Sequence, residues 1–274
     1  MGKKKNTKKN WSFHILVGMI VLLFLIAILA PVLAPNDPYN TDLTVAQIGP
    51  CSQYPLGTDN LGRCMLSRVL YGARISIFSS LLITFFVFCI GVTIGSLCGY
   101  FGGAVDAVLN KIITIMQAFP QIVLAIAITG ILGIGIRNTI IALCMVLWVD
   151  YARLSRSFVY SIKGRTFIKA ARICGESHLR ILFRRIVPNI VYPLIVNASL
   201  GIASTIMEIA ALSYLGVGVE EPQAEWGAMI NLGRNYIQTD LKMVLIPGVA
   251  IFVTAAVFNL FGEKLRDRVR EEEE

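Results

Sequence analysis

The segment ISIFSSLLITFFVFCIGVTIGSLCGYFGGAV, from Ile75 to Val105, contains no charged residue. A helix needs about 20 predominantly apolar residues to cross the roughly 30 Å hydrocarbon core of a membrane, so this segment is long enough to span it. Four further uncharged segments reach that length, at 15–36, 112–136, 186–207 and 243–262. The chain is therefore predicted to cross a membrane several times as α-helices.

The composition of the whole chain excludes a water-soluble enzyme. Of its 274 residues, 55% are hydrophobic and 15% are charged, whereas soluble domains carry about 25% charged residues. Such a chain could not cover its own core with polar surface. Outer-membrane barrels are disfavoured because their strands alternate apolar and polar residues over about ten positions, while these segments are apolar on every face. The predicted fold class is an all-α membrane protein.

Six transmembrane helices are predicted, at 13–34, 76–100, 107–130, 138–158, 189–214 and 243–262, with the third broken near Pro120. They form one transmembrane domain, residues 13–268, between a basic tail at 1–12 and an acidic tail at 269–274. The loops at 35–75 and 216–240 are expected outside the cell, and the loop at 159–188 in the cytoplasm. Gly91, Gly95 and Gly99 have the four-residue spacing that lets another helix approach closely in lipid.

The distribution of positive charge predicts the orientation of the chain, because cytoplasmic segments of membrane proteins carry an excess of lysine and arginine. Five lysines precede the first helix, nine basic residues lie between 153 and 185, and four follow the last helix. Both termini are therefore expected in the cytoplasm. The net charge of +8 does not indicate a nucleic-acid partner, which would require a basic face with interleaved aromatic residues on a folded domain.

The internal loop carries the most informative pattern. A helix-favouring run around Ala170 and Ala171 places Phe167, Ala171 and Cys174 on one predicted face, and Gly175 supplies a stop that can adopt positive φ. Ser177 can cap a second short helix, and Pro188 suits the first turn of the next one. Two short helices at the membrane surface make a compact projection that could fit a cleft in another protein. An ordinary amphipathic loop helix remains the alternative.

This loop resembles the EAA motif of permease subunits of binding-protein-dependent ATP-binding-cassette importers. The alanine pair, the glycine and the proline thirteen positions after it match; Lys169 stands where the motif has its glutamate, and Arg185 where an aliphatic residue is usual. In that family the motif forms the coupling helix that docks on the ATPase. The resemblance implies that the residues coupled to an ATPase are Lys169, Ala170, Ala171, Gly175, Glu176 and Pro188.

Further segments are similar to those of the dipeptide, oligopeptide and nickel permeases: Leu56–Arg63, Leu212–Val219, Glu225–Met229 and Asn259–Gly262. Cys64 departs from the pattern, since an aspartate usually follows the Gly-Arg pair. The resemblance implies the type I importer permease fold, a second related permease, two ATP-binding subunits and an external solute-binding protein as partners. It implies docking of the binding protein near Asp59, Arg63, Glu225 and Trp226.

The chain itself contains no G-x-x-x-x-G-K-[ST] loop to hold phosphates. ATP and its magnesium ion are therefore expected on partner subunits, with no cofactor in this chain. No catalytic motif of the G-x-S-x-G or H-E-x-x-H type is present either. The sequence indicates a non-catalytic subunit of an ATP-hydrolysing transporter.

Glu208 is the ionisable residue most clearly inside a predicted span, and such residues are costly enough to be functional by default. It either faces the transport pathway and contacts a cationic or amino group of the cargo, or lies near the outer interface, paired or solvated. Asp150 is expected to pair with Arg153 or Arg156. His14 and His178 are too far apart in the sequence to suggest a metal site. Cys51 and Cys64 either form a disulfide or remain free thiols.

The function expected is the permease subunit of an ATP-driven importer in the bacterial cytoplasmic membrane, with small peptides or nickel or a metal chelate as cargo. The competing class is a secondary carrier or channel that needs no ATPase. Such a protein should show intramembrane ion ligands and repeated halves, and neither is visible in the sequence.

Overall fold

The computed structural model describes residues 6–273, and the side chains of residues 11–270. The lysines at 3–5, the side chains of Lys8 and Lys9 and those of the glutamates at 271–274 lie outside the described part, so the two predicted tails are only partly covered. The first helix already includes Asn6, ahead of its predicted start at residue 13.

Helices make up the regular structure of the described residues, with one isolated β-bridge between Thr58 and Cys64. The ten α-helices in the described chain are α1 (Asn6–Leu33), α2 (Met65–Phe101), α3 (Gly103–Gln117), α4 (Gln121–Leu132), α5 (Ile136–Ile162), α6 (Thr166–Ile173), α7 (His178–Ile181), α8 (Val187–Tyr214), α9 (Trp226–Gly233) and α10 (Lys242–Glu273). A π turn at Leu182–Ile186 joins α7 to α8, and 3-10 turns lie at Leu43–Val45 and Arg234–Tyr236.

Five helical segments in the described chain are long and apolar enough to cross a membrane: Trp11–Leu33, Met65–Phe101, Ile136–Ile162, His178–Tyr214 and Lys242–Arg270. The helices α3 and α4 together form a sixth candidate, bent by 89° at the break between them. The predicted all-α membrane fold is confirmed, with five spans, or six if the bent pair α3–α4 is one span. The break falls at Pro120, which has no backbone N–H and disfavours helical geometry in the residue before it.

The helix α2 begins at Met65, eleven residues before its predicted start. Arg68 and Arg74 interrupt the uncharged segment and therefore concealed the first turns of this helix in the sequence. Arg68 lies inside the protein, where salt bridges satisfy its charge. The helix can consequently extend beyond the apolar segment without exposing that arginine to lipid.

The glycines of α2 bring it into close contact with α5. A Cβ atom on Gly91 would lie 2.6 Å from the carbonyl oxygen of Trp148, and one on Gly95 would overlap the carbonyl oxygen of Ala152. The close approach predicted from the glycine spacing is confirmed, and the helix that uses it belongs to the same chain. The bundle has two opposite ends, called here the α6 end, where α2 finishes, and the α9 end, where α2 begins.

Candidate functional site

The α6 end carries a small projection, residues 166–186, which we call the knob. Its inward residues Ile168, Ala171 and Ile181 are buried in one cluster with Tyr100 of α2 and with parts of α5 and α8. Lys169 and Ala170 lie on the exposed side. Of the three residues predicted to share a face, Ala171 is buried against the bundle, while Phe167 is 41% exposed and Cys174 is exposed. The bundle therefore covers only part of that face.

Gly175 ends α6 with the hydrogen bonds of a Schellman motif. Its backbone N–H donates to the carbonyl of Arg172 at 3.0 Å, and that of Glu176 donates to the carbonyl of Ala171 at 3.1 Å. The φ angle of Gly175 is 79°, a left-handed value that residues with a Cβ rarely adopt. Glycine is therefore required here by the backbone, as its predicted role as a stop suggests.

Glu176 joins the two halves of the knob through Arg185. The guanidinium donates from Nη2 to Oε1 at 2.6 Å and from Nε to Oε2 at 3.4 Å. This interaction lowers the pKa of Glu176 below its usual value. The arginine that departs from the family pattern thus binds an acid inside the motif. Ser177 occupies the N-cap position of α7 as predicted but makes no side-chain capping bond, and Pro188 lies in the first turn of α8.

The knob is attached to the last turn of α2. The hydroxyl of Tyr100 lies 3.0 Å from Nδ1 of His178, and the guanidinium of Arg172 lies 5.6 Å from the Tyr100 ring centroid. Lys163 donates to the carbonyl of Gly99 at 2.9 Å. Displacement of the knob must therefore displace the end of a membrane-spanning helix.

A cavity of about 300 Å³ opens between α2, α4, α5 and α8. This volume is near the lower limit of small-molecule sites. Its polar lining comprises Gln121, Asp150, Tyr151, Asn197, Ser204, Thr205 and Glu208, and no lysine or arginine of the described chain contributes to it. Gly201 leaves room for the Tyr151 hydroxyl, since a Cβ atom there would overlap it.

Among the side chains that the structure describes, no basic group neutralises the two acids of the cavity. Oε2 of Glu208 is buried and has no hydrogen-bond partner in the described residues. Asp150 accepts from Nε2 of Gln121 at 2.6 Å. Both of its expected partners are engaged elsewhere: Arg153 lies 3.4 Å from Oε1 of Gln117, and Arg156 donates to Asp106 at 2.8 Å. The predicted pairing of Asp150 with an arginine is therefore wrong.

Sequence reasoning placed Glu208 in a span and missed Asp150, Gln121 and Asn197 as its neighbours in the cavity. One signal was available, because a helix interrupted by proline often marks the binding site of a transporter. Gln121 directly follows Pro120. The contribution of Asp150 depends on how α4, α5 and α8 pack and is not visible in the local sequence.

Two arginines and two acids form a network at the α9 end. Arg63 donates from Nε to Oδ2 of Asp59 at 2.6 Å and from Nη1 to Glu221. Arg68 contacts the same two acids, at 3.6 Å and 3.3 Å. The network joins the segment before α2 to the loop before α9, and Arg68 and Glu221 were not identified from the sequence.

Glu225 and Trp226 fix α9 against α2. Glu225 accepts from the backbone N–H of Ala228 at 2.9 Å and from the Ser76 hydroxyl at 3.1 Å, while Trp226 donates to the carbonyl of Val69 at 3.0 Å. Both are almost fully buried, as are Asp59 and Arg63. These four side chains therefore stabilise the loops of the α9 end, and docking of a binding protein near them stays a prediction.

The described residues also show whether the chain contains a metal cluster or a disulfide between Cys51 and Cys64. No group of three or more histidine, cysteine, aspartate or glutamate side chains is placed there to hold a metal ion. Cys51 is an exposed free thiol and Cys64 a buried one, so of the two alternatives the structure contains free thiols.

Comparison with known proteins gives matches over nearly the whole chain. Residues 91–271 match the model of the binding-protein-dependent transport system inner membrane component family, and residues 5–55 match the N-terminal transmembrane domain of oligopeptide transport permease C. The nickel transport system permease protein NikC of Escherichia coli K12 is 37% identical over 95% of this chain and 94% of its own length. The dipeptide transport system permease protein DppC of Alkalihalophilus pseudofirmus is 39% identical over 96% of this chain and 86% of its own length.

A further relative is the glutathione transport system permease protein GsiD of Escherichia coli O6:K15:H31, 40% identical over 90% of this chain and 82% of its own length. Among solved structures, an inward-facing form of the MetNI methionine ABC transporter matches with a TM-score of 0.56 and 20% identity, over 74% of this chain and 97% of the other. At that identity the match establishes a shared fold.

Proposed function

The chain belongs to the family of binding-protein-dependent transport system inner membrane components, and on that premise we propose that it moves small peptides, or nickel or a metal chelate, into the cytoplasm at the expense of ATP hydrolysed by partner subunits. A second, related permease completes the pathway, and an external solute-binding protein delivers the cargo. The chain itself is a non-catalytic subunit embedded in the membrane.

The observation that carries this proposal is the attachment of the knob. Its inner face is buried against Tyr100 of α2, Val159 of α5 and Ile190 of α8, while Lys169 and Ala170 on its outer face are exposed. A partner that binds the outer face can therefore move α2, α5 and α8 together as one rigid body. This is the mechanical requirement of alternating access by rigid-body motion. Lys169, Ala170, Ala171, Gly175, Glu176 and Pro188 are proposed as the coupling residues.

ATP and magnesium are proposed to bind the two partner ATPases. The absence of a G-x-x-x-x-G-K-[ST] segment from the printed sequence supports this division of labour. Both termini and the knob are proposed to lie in the cytoplasm, with the α9 end outside and facing the binding protein. The concentration of basic residues between 153 and 185 supports that orientation.

The cargo is proposed to pass the cavity that Glu208 and Asp150 line. An intramembrane carboxylate without a basic partner favours a cationic group, such as the amino terminus of a peptide or a metal chelate with net positive charge. The named cargoes of the relatives, nickel, dipeptides and glutathione, support this range of substrates for the present chain.

Uptake into vesicles tests the proposal directly. The complete complex is assembled with its neighbouring subunits, and uptake of a labelled dipeptide and of nickel is measured with and without ATP. We expect ATP-dependent uptake of one cargo and its loss in Gly175→Val, because a β-branched residue cannot readily adopt the left-handed backbone found at Gly175.

Gly164→Val is the matched control, since Gly164 has ordinary backbone geometry and open space around its Cα. Uptake that persists without ATP, or that Gly175→Val leaves unchanged, contradicts the proposal and favours the alternative of a secondary carrier or channel. Equal loss in both variants assigns the effect to general damage to the loop and removes the support for coupling.

A further inference from the structure

The knob and its surroundings are strongly basic. Between residues 151 and 207 the sequence contains nine lysines and arginines and one acid, Glu176. Arg185 binds that acid at 2.6 Å, so its charge is compensated inside the knob. Lys169, Arg180 and Arg184 form no salt bridge within the described part of the chain. The exposed face therefore presents positive charge with no exposed, uncompensated acid.

The same face also exposes apolar side chains. Ile173 is 87% exposed and Leu179 is 56% exposed, and the small Ala170 lies between Lys169 and the end of α6. Residues three or four positions apart share a face of a helix, so Lys169 and Ala170 lie on the same side of α6 as Ile173. This side is opposite Ile168 and Ala171, which face the bundle.

We infer that the ATPase which receives the knob presents an apolar groove bordered by carboxylates, with one carboxylate opposite Lys169, and that this charge pair selects the ATPase. The inference rests on the proposed coupling function and deepens it. Because Ala170 has no long side chain, the partner can approach closely and exclude water from Lys169. A charge that is desolvated at an interface contributes to partner choice through both its pairing and the penalty for a wrong partner.

Anionic lipid headgroups would attract the same cations, but the geometry favours a protein. The side of α6 that carries Ile168 and Ala171 is packed on the spanning helices. The opposite side, with Lys169 and Ile173, therefore points away from them. A groove in a soluble partner subunit can cover both the apolar and the basic residues of that side.

Binding of ATPase subunits to the full-length permease pair in nanodiscs tests the inference. Two ATPase pairs are compared: the chain's own, and one from an importer whose permease has glutamate at the position of Lys169. We expect Lys169→Glu to weaken binding of the ATPase pair that belongs to this permease at least about tenfold, in keeping with the coupling energies of close interfacial charge pairs. The same substitution should strengthen binding of the ATPase pair from the other importer. Lys169→Gln should fall between wild type and Lys169→Glu for both.

Lys111→Glu is the control for net charge, because Lys111 is an exposed lysine on α3 outside the knob. Thermal unfolding of each variant checks that the permease remains folded. If Lys169→Glu behaves like Lys111→Glu while Gly175→Val abolishes binding, the charge inference is wrong and the coupling function stands. If Gly175→Val also leaves binding intact, the coupling function itself is wrong.

The lipid composition of the nanodiscs tests whether Lys169 contacts the membrane surface instead. Nanodiscs of phosphatidylcholine alone are compared with nanodiscs that also contain phosphatidylglycerol. We expect the effect of Lys169→Glu to be the same in both. An effect that appears only with the anionic lipid assigns Lys169 to the membrane surface and overturns the inference.

Discussion

At the scale of single residues, the chain places charges inside the protein in two different ways. At the α9 end, the buried Arg63 and Arg68 share Asp59 and Glu221, so each buried charge has a counter-charge. In the cavity, Glu208 has a buried oxygen without a hydrogen-bond partner in the described chain. Paired charges serve the structure, whereas an unpaired charge lowers stability unless a ligand supplies the missing partner.

Asp59→Ala should destabilise the protein strongly. The substitution leaves two buried guanidinium groups with one acid, and breaking a buried ion pair from one side costs about 3–5 kcal/mol. Thermal unfolding in detergent or nanodiscs measures the loss. The control Asp267→Ala removes an exposed ion pair with Lys264, which contributes about 0–1 kcal/mol. Similar losses in both variants would contradict the role assigned to the network.

Glu208→Gln should reduce uptake of a cationic cargo while leaving the protein at least as stable as the wild type. The amide retains the shape of the side chain and removes the charge that attracts the cargo. Uptake should fall on the order of tenfold, because a hydrogen bond to a charged group contributes about 1.5–3 kcal/mol. Glu220→Gln, an exposed acid in the loop before α9, is the control. Unchanged uptake in Glu208→Gln would remove Glu208 from the pathway.

At the scale of elements, the contact between α2 and α5 depends on the absence of side chains. Gly91 and Gly95 lie against backbone atoms of Trp148 and Ala152. The sequence predicted that another helix would approach α2 closely, because the glycine spacing is a local property of one helix, but it did not identify α5 as that helix. It did not predict the start of α2 at Met65, because the burial of Arg68 depends on Asp59 and on Glu221, which is more than 150 positions away. It also missed Asp150 in the cavity for the same reason.

Gly95→Ala should destabilise the bundle, although alanine is the better helix former. The added methyl group would overlap the Ala152 carbonyl, and the two helices must separate to accommodate it. Gly130→Ala in α4 is the control, since nothing lies within 4 Å of its added Cβ atom. That variant should be neutral or more stable by about 0.5–1 kcal/mol. Thermal unfolding of both variants distinguishes packing from helix propensity, and a stabilised Gly95→Ala would contradict the packing.

At the scale of the whole molecule, the structure has two chemically different ends. Basic residues and the exposed apolar side chains of the knob mark the α6 end, while the α9 end is closed by buried ion pairs. The sequence predicted multiple apolar spans because apolar length is a property of each segment, and the charge distribution predicts that the α6 end faces the cytoplasm. The function of either end in transport depends on partner subunits, which this sequence does not describe.

Thiol labelling tests the orientation of the molecule. Cys51 near the α9 end and Cys174 in the knob are both exposed. In right-side-out vesicles carrying single-cysteine variants, a membrane-impermeant maleimide should label Cys51 directly and Cys174 only after permeabilisation. Bound ATPase should then protect Cys174 and leave Cys51 reactive. Direct labelling of Cys174 in sealed vesicles would reverse the proposed orientation.

The ion network at the α9 end also sets an order of events during biosynthesis. Glu221 lies 158 positions after Arg63 in the chain, so the ribosome must make α2, α5 and α8 before this second acid exists. Until then Asp59 alone faces two arginines. A nascent chain halted before residue 221 therefore carries an unmatched guanidinium that the finished protein conceals. The balance of charge at the α9 end therefore differs between an unfinished chain and the completed protein.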